Sequence, residues 1–99
     1  ASDVYKRQVL QPLLEDFGYW FERSRQLLER EEIPFLSSTE QLDLLNRVRQ
    51  AQQELNATQA LFQATGGQVG VETTMLMPWH KLLTECWQVA MRFRKEQSR

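Results

Sequence analysis

The stretch Ile33-Pro34-Phe35-Leu36-Ser37-Ser38-Thr39-Glu40-Gln41 decides how the chain is read. It opens on an apolar run broken by Pro34, which marks a helix boundary because proline lacks an amide donor and clashes with the preceding turn. That run, Ile33 to Leu36, is predicted to pack over one end of a helical bundle. Ser37 with Glu40, and Ser38 with Gln41, then both have the spacing of a capping box. In such a box the hydroxyl accepts from a free amide of the new helix, while the longer side chain reaches back to the cap amide. One helix ends before this stretch and a second begins within it.

The preceding helix is predicted from about Val9 to Glu31. At 100° per residue, Leu10, Leu13, Leu14, Phe17, Trp20, Phe21, Leu27 and Leu28 fall in one broad apolar sector, and Tyr19 points away from it. Pro12 then lies in the first turn, where its missing N–H costs nothing. Gly18 costs about 1 kcal/mol against alanine, so either a neighbouring backbone approaches closely there or the cost is tolerated. The second helix runs to about Thr65. Its apolar seam, Leu44, Val48, Ala51, Leu55, Thr58 and Phe62, alternates spacings of four and three, as in a coiled-coil contact. Gly66 stands where a left-handed C-cap belongs. A third helix begins between Met75 and Pro78, ends near Glu96, and buries Trp79, Leu82, Leu83, Cys86, Val89, Ala90 and Phe93.

No segment alternates with period two for long enough to form a strand. The expected fold is therefore all-α, an antiparallel three-helix bundle running up, down, up, with helices roughly at 9–31, 38–65 and 75–96. Helices of that length make a rod of about 30–40 Å.

With 99 residues the chain is the size of one domain, large enough to be held by packing without disulfides or a metal. The single cysteine, Cys86, cannot form an intramolecular bridge, which points to a reducing compartment. Within this sequence no basic start precedes an apolar run of signal length, and no apolar run is long enough to span a membrane. The net charge is −1, with mixed signs except in the tail, where Arg92, Arg94, Lys95 and Arg99 cluster. Cations at that point complement a helix C-terminus. Residues 1–8 read differently from the rest. Ser2-Asp3-Val4-Tyr5-Lys6-Arg7-Gln8 looks like the translated sequencing-adapter remnant found at the ends of proteins predicted from metagenomic assemblies. The domain is therefore expected to begin at Val9, with the natural start of the protein lying elsewhere.

Catalytic and metal signatures are weak. His80 and Cys86, six residues apart on one helix, point in different directions, and a catalytic thiol needs exposure and an activating neighbour. One His and one Cys do not close a metal site. Glu15, Asp16, Glu22, Glu29, Glu31 and Glu32 fall mostly on solvated positions, and no pair sits in an apolar pocket that would separate their pKa values. Gly67-Gln68-Val69-Gly70 matches the GxxG loop of nucleotide-clamping KH domains in four letters. It lacks the lysine and the accompanying strands, so a helix cap and turn account for it. A Walker-type phosphate loop is absent. No enzyme, cofactor or metal is expected.

The third helix extends past its buried sector with His80, Trp87 and Met91 at spacings of seven and four, and Arg94 close by. Trp, Met and Arg are enriched at protein interfaces, so this stripe is a candidate partner surface. The plainer reading is that Trp87 seals the edge of a core to which the second helix contributes little bulk.

Several stretches resemble a small helical family of cyanobacteria that carries only a domain-of-unknown-function label. They are Pro12-Leu13-Leu14-Glu15-Asp16-Phe17 with Tyr19-Trp20-Phe21; Gln50-Ala51-Gln52-Gln53; Ala60 to Thr65 leading to Gly67-Gln68-Val69-Gly70; and Leu76-Met77-Pro78-Trp79-His80 with Glu85-Cys86-Trp87. The resemblance covers the chain from Val9 onward. It implies a cyanobacterial origin and a cytoplasmic setting, with a peripheral place at the thylakoid as a variant, and it brings no reaction or ligand. The expected function is a non-catalytic interaction module, an assembly or adaptor factor that binds a protein partner or forms a homodimer. The alternative is binding of nucleic acid or an anionic surface through the basic tail and the Gly66–Gly70 turn.

Overall fold

A computed structural model describes the backbone over residues 2–66 and 73–98 and the side chains over residues 9–66 and 76–98. The Gly67–Gly70 match, the side chain of Met75 and Arg99 lie outside the described residues. The chain forms three helices, α1 (Ser2–Arg30), α2 (Ser38–Ala64) and α3 (Thr73–Gln97), with no strand among the described residues.

Side-chain pairings set the topology. Phe17 meets Trp79 and Trp20 meets Trp87, so α1 and α3 run in the same direction. Glu29 bonds Arg49 while Gly18 lies against Leu55, so α2 runs opposite to α1. The up-down-up bundle expected from the sequence is the one observed.

Its helix starts need correction. α1 begins at Ser2, so Pro12 sits in the helix interior instead of the first turn. Thr73 opens α3, which moves Pro78 into the second turn, where its missing N–H leaves one carbonyl of the first turn without a helical partner. The longer α1 also lengthens the molecule, which measures 51 × 24 × 20 Å where 30–40 Å was expected.

The α1–α2 connection shows why one capping box forms and the other does not. Ser37 is the N-cap: its hydroxyl accepts from the Glu40 amide at 3.0 Å, and the Glu40 carboxylate accepts from the Ser37 amide at 2.9 Å. Gln41 is engaged elsewhere. Its side-chain amide donates to the carbonyls of Leu28 (2.9 Å) and Glu31 (2.7 Å), and its oxygen accepts from the Ile33 amide at 3.0 Å. One side chain at the start of α2 thereby satisfies three backbone groups at the end of α1 that the helix itself leaves open. At the far end of α2, Gly66 takes a left-handed backbone (φ 66°) and donates to the Gln63 carbonyl at 3.0 Å, as its position suggested.

The core is apolar throughout, and no buried side-chain polar atom among the described residues lacks a partner. α1 contributes Leu14, Phe17, Phe21 and Leu28; α2 contributes Leu44, Leu45, Val48, Ala51, Leu55 and Phe62; α3 contributes Trp79, Leu83, Cys86 and Phe93. The connection adds Ile33, which is fully buried, with Phe35 and Leu36 half-buried beside it. Several expected core positions lie further out: Leu10, Leu13, Leu27, Leu82, Val89 and Ala90 are half-buried at the core's margin. Thr58 is half-buried and turns its hydroxyl back to the Glu54 carbonyl, and Trp20 stands at the bundle edge, 37% exposed.

Candidate interaction surface

α1 and α3 run side by side, and their lateral edge carries aromatic rings that the core does not absorb. Trp20 follows Phe17 by three residues and precedes Phe21, so it leaves the buried sector on the α3 side. Trp87 leaves the buried face of α3 one position after Cys86. The two indoles meet edge to face, with centroids 5.7 Å apart and an interplanar angle of 89°. Tyr19 extends the row on α1, edge-on to Trp20 at 5.0 Å. Trp20 and Trp87 are each 37% exposed, Tyr19 54% and Met91 63%.

Cations border this row. The Arg23 guanidinium lies 5.7 Å from the Tyr19 ring centre and 5.9 Å from that of Trp20, and it donates to the Tyr19 hydroxyl at 3.0 Å. Such placement uses the negative faces of the rings and leaves the charge without a counter-ion. Arg23 and Arg94 flank a cleft of about 150 Å³ whose apolar wall is Trp20, Leu27, Trp87, Ala90 and Phe93. No carboxylate lines the cleft, and neither arginine is paired with one among the described residues. Among the described residues Arg30 is likewise without a carboxylate, whereas four other arginines are paired. Arg25 binds Glu22 and Glu29, Arg49 binds Glu29, Arg47 binds Asp43 and Glu85, and Arg92 binds Glu96.

The four residues singled out on α3 therefore divide. Trp87 and Arg94 line the cleft, and Met91 is exposed one turn beyond Trp87. His80 lies apart, in a shallow depression with Met77, Pro78, Lys81 and Thr84. The α1 half of the edge, Tyr19, Trp20 and Arg23, escaped the sequence reading. Helical periodicity put Trp20 in the core sector and Tyr19 opposite, and only packing against α3 reveals that both border one surface.

The remaining chemistry-bearing groups have structural partners. A second cleft, of about 430 Å³ between α2 and α3, is lined by Arg47, Glu54, Lys81 and Glu85. Across it Arg47 grips Glu85 through both carboxylate oxygens at 2.8 Å each, and its Nε donates to Asp43 at 2.9 Å. Those bonds from Arg47 hold the Glu85 carboxyl below the usual carboxylate range. Burial pushes the Cys86 thiol up to about 11, a shift the nearby Ser24 side chain opposes. A thiol of that kind stays protonated near neutral pH, and the exposed His80 is on another side of α3. In the tail, the Arg92 guanidinium packs 4.0 Å over the Phe35 ring and so fastens α3 to the α1–α2 connection. Among the described residues no three His, Cys, Asp or Glu side chains gather as a metal site would require, and no helix is long and apolar enough to cross a membrane.

No curated protein and no solved structure matches the chain. A family model does match, over residues 2–95: the chain belongs to the family described as protein of unknown function, DUF2605.

Proposed function

We propose that the chain is a non-catalytic protein-interaction module, an assembly or adaptor factor, whose working surface is the α1–α3 edge. The observation that carries this reading is the Trp20–Trp87 pair, half-covered by the bundle and flanked by the unneutralised Arg23 and Arg94. Aromatic anchors bordered by arginine are the side chains that contribute most when an interface forms. Met91 and Arg94 extend the surface along α3, while His80 stands apart from it. In the same reading the protein works in the cytoplasm of a cyanobacterium, with a peripheral association at the thylakoid as the variant; this setting rests on the family resemblance alone. Residues 1–8 are, in this view, translated adapter sequence, and a mismatch between the underlying nucleotides and adapter sequence overturns that point.

The test is association of the purified chain and its variants. Trp87→Ala and Met91→Ala weaken association with the partner, whether a second copy or another protein, while far-UV circular dichroism stays unchanged. Association that survives both changes removes the reading. The alternative, an anionic ligand held by the basic tail and the Gly66–Gly70 turn, predicts affinity for RNA or DNA that falls steeply with salt. Failure to bind either at low salt ends it.

A further inference from the structure

The α1 half of the edge carries a charge pattern that is complementary to itself. Asp16, Tyr19, Trp20 and Arg23 are all exposed, and at 100° per residue they lie within one sector of about 100°. Asp16 and Arg23 stand equally far on either side of the Tyr19–Trp20 peptide bond. Asp16 has no hydrogen-bond or ionic partner among the described residues, and Arg23 bonds only the neutral Tyr19 hydroxyl. On the same helix Arg25 bridges Glu22 and Glu29, and Glu29 also takes Arg49, while Glu15 and Arg30 likewise have no ionic partner among the described residues. The acid and the base that border the aromatic row, three residues before Tyr19 and three after Trp20, are thus both free to meet a charge from outside.

We infer that the occupant of this edge is a second copy of the chain, docked through α1 in antiparallel register about a two-fold axis near the Tyr19–Trp20 peptide bond. A two-fold interface must be self-complementary, each patch meeting its own copy. In this register Asp16 of each protomer faces Arg23 of the other, and the Tyr19 and Trp20 rings of both meet at the axis. Trp87, and Met91 one turn further, border the contact from α3. The unequal charges at the two ends reject the parallel arrangement, which would set Asp16 against Asp16 and Arg23 against Arg23.

This inference rests on the interaction reading above, and charge reversal separates the two. Sedimentation equilibrium is run on the full chain, on D16R, on R23D, on the double variant and on an equimolar mixture of the two single variants. The register predicts that D16R and R23D each dimerise more weakly than the wild type by about tenfold or more. Each single variant places like charges opposite one another twice in its own dimer. The mixture and the double variant both restore opposite charges at both contacts, so dimerisation returns toward the wild-type level. Circular dichroism checks that each single variant is folded, and recovery in the mixture excludes misfolding as the cause of the loss. Wild-type dimers that W87A disrupts but D16R and R23D leave intact overturn the register and keep the interaction reading. A wild type that stays monomeric overturns the second copy as occupant. The interaction reading then stands or falls on a different protein that the wild type binds and W87A does not.

Discussion

Trp20 and Trp87 lie edge to face, 5.7 Å between ring centres, and yet each keeps more than a third of its surface in solvent. The pair closes the bundle on one side and presents its remaining faces outward. Phe21, one residue along α1, is completely buried. Core and surface therefore meet between adjacent residues, and substitutions at the two positions should have different consequences.

Truncation tests that boundary. Phe21→Ala should cost about 4 kcal/mol of stability, because it opens a cavity in a packed core. Trp87→Ala should cost less, about 2 kcal/mol, from the lost edge-to-face pair and the lost burial of the covered part of the ring. Urea unfolding followed by circular dichroism measures both. Equal losses would show that Trp87 belongs to the core.

Gly18 offers a stabilising change. A Cβ there would meet only the Leu55 side chain, at 3.6 Å, an ordinary contact, and no neighbouring backbone stands in the way. The cost of glycine is thus tolerated and not required by close packing. Gly18→Ala should raise stability by about 0.5–1 kcal/mol, seen as a higher urea midpoint with an unchanged slope. A lower midpoint contradicts this packing.

Gln41 ties three backbone groups at the end of α1. Gln41→Ala leaves all three without that partner and should cost about 2 kcal/mol. Ser37→Ala removes one cap and should cost about 1 kcal/mol. Thermal melts of the two variants decide the order, and a smaller loss at Gln41 than at Ser37 would show that water replaces its bonds freely.

Acid should weaken the fold through carboxylates whose folded pKa values are lowered. Arg47 lowers Glu85, Arg49 and then Arg25 lower Glu29, and the Ser37 amide lowers Glu40. Each stays ionised in the folded chain at pH values where the unfolded chain takes up a proton. Their contribution is therefore complete above the ordinary carboxylate value of 4.5 and is lost as pH falls through the lower folded values. Urea midpoints from about pH 7 down to about pH 3 should hold level and then fall, with a shallower fall in Glu85→Gln. A flat profile contradicts the pairing.

How far the sequence carried this picture differs from element to element. Helix number, direction and most of the buried faces follow from period and caps, because Ser37, Glu40 and Gly66 act within a turn of themselves. The choice between the two capping boxes was not legible, since it depends on carbonyls at Leu28 and Glu31 that only the folded chain brings to Gln41. The edge was half legible. Trp87 and Arg94 overrun the buried sector of α3 and announce themselves by spacing. Trp20 falls inside the apolar sector of α1, and its exposure is decided by where α3 ends its contact.

Whether the α1–α3 edge joins two copies is tested most directly by sedimentation equilibrium of the wild type beside Trp87→Ala, over roughly 5 to 200 µM. Two copies meeting there give a wild-type mass that climbs toward that of a dimer with concentration, and a Trp87→Ala mass that stays near one chain. A wild type that remains a single chain throughout, or a Trp87→Ala variant that pairs as well as the wild type, would contradict it.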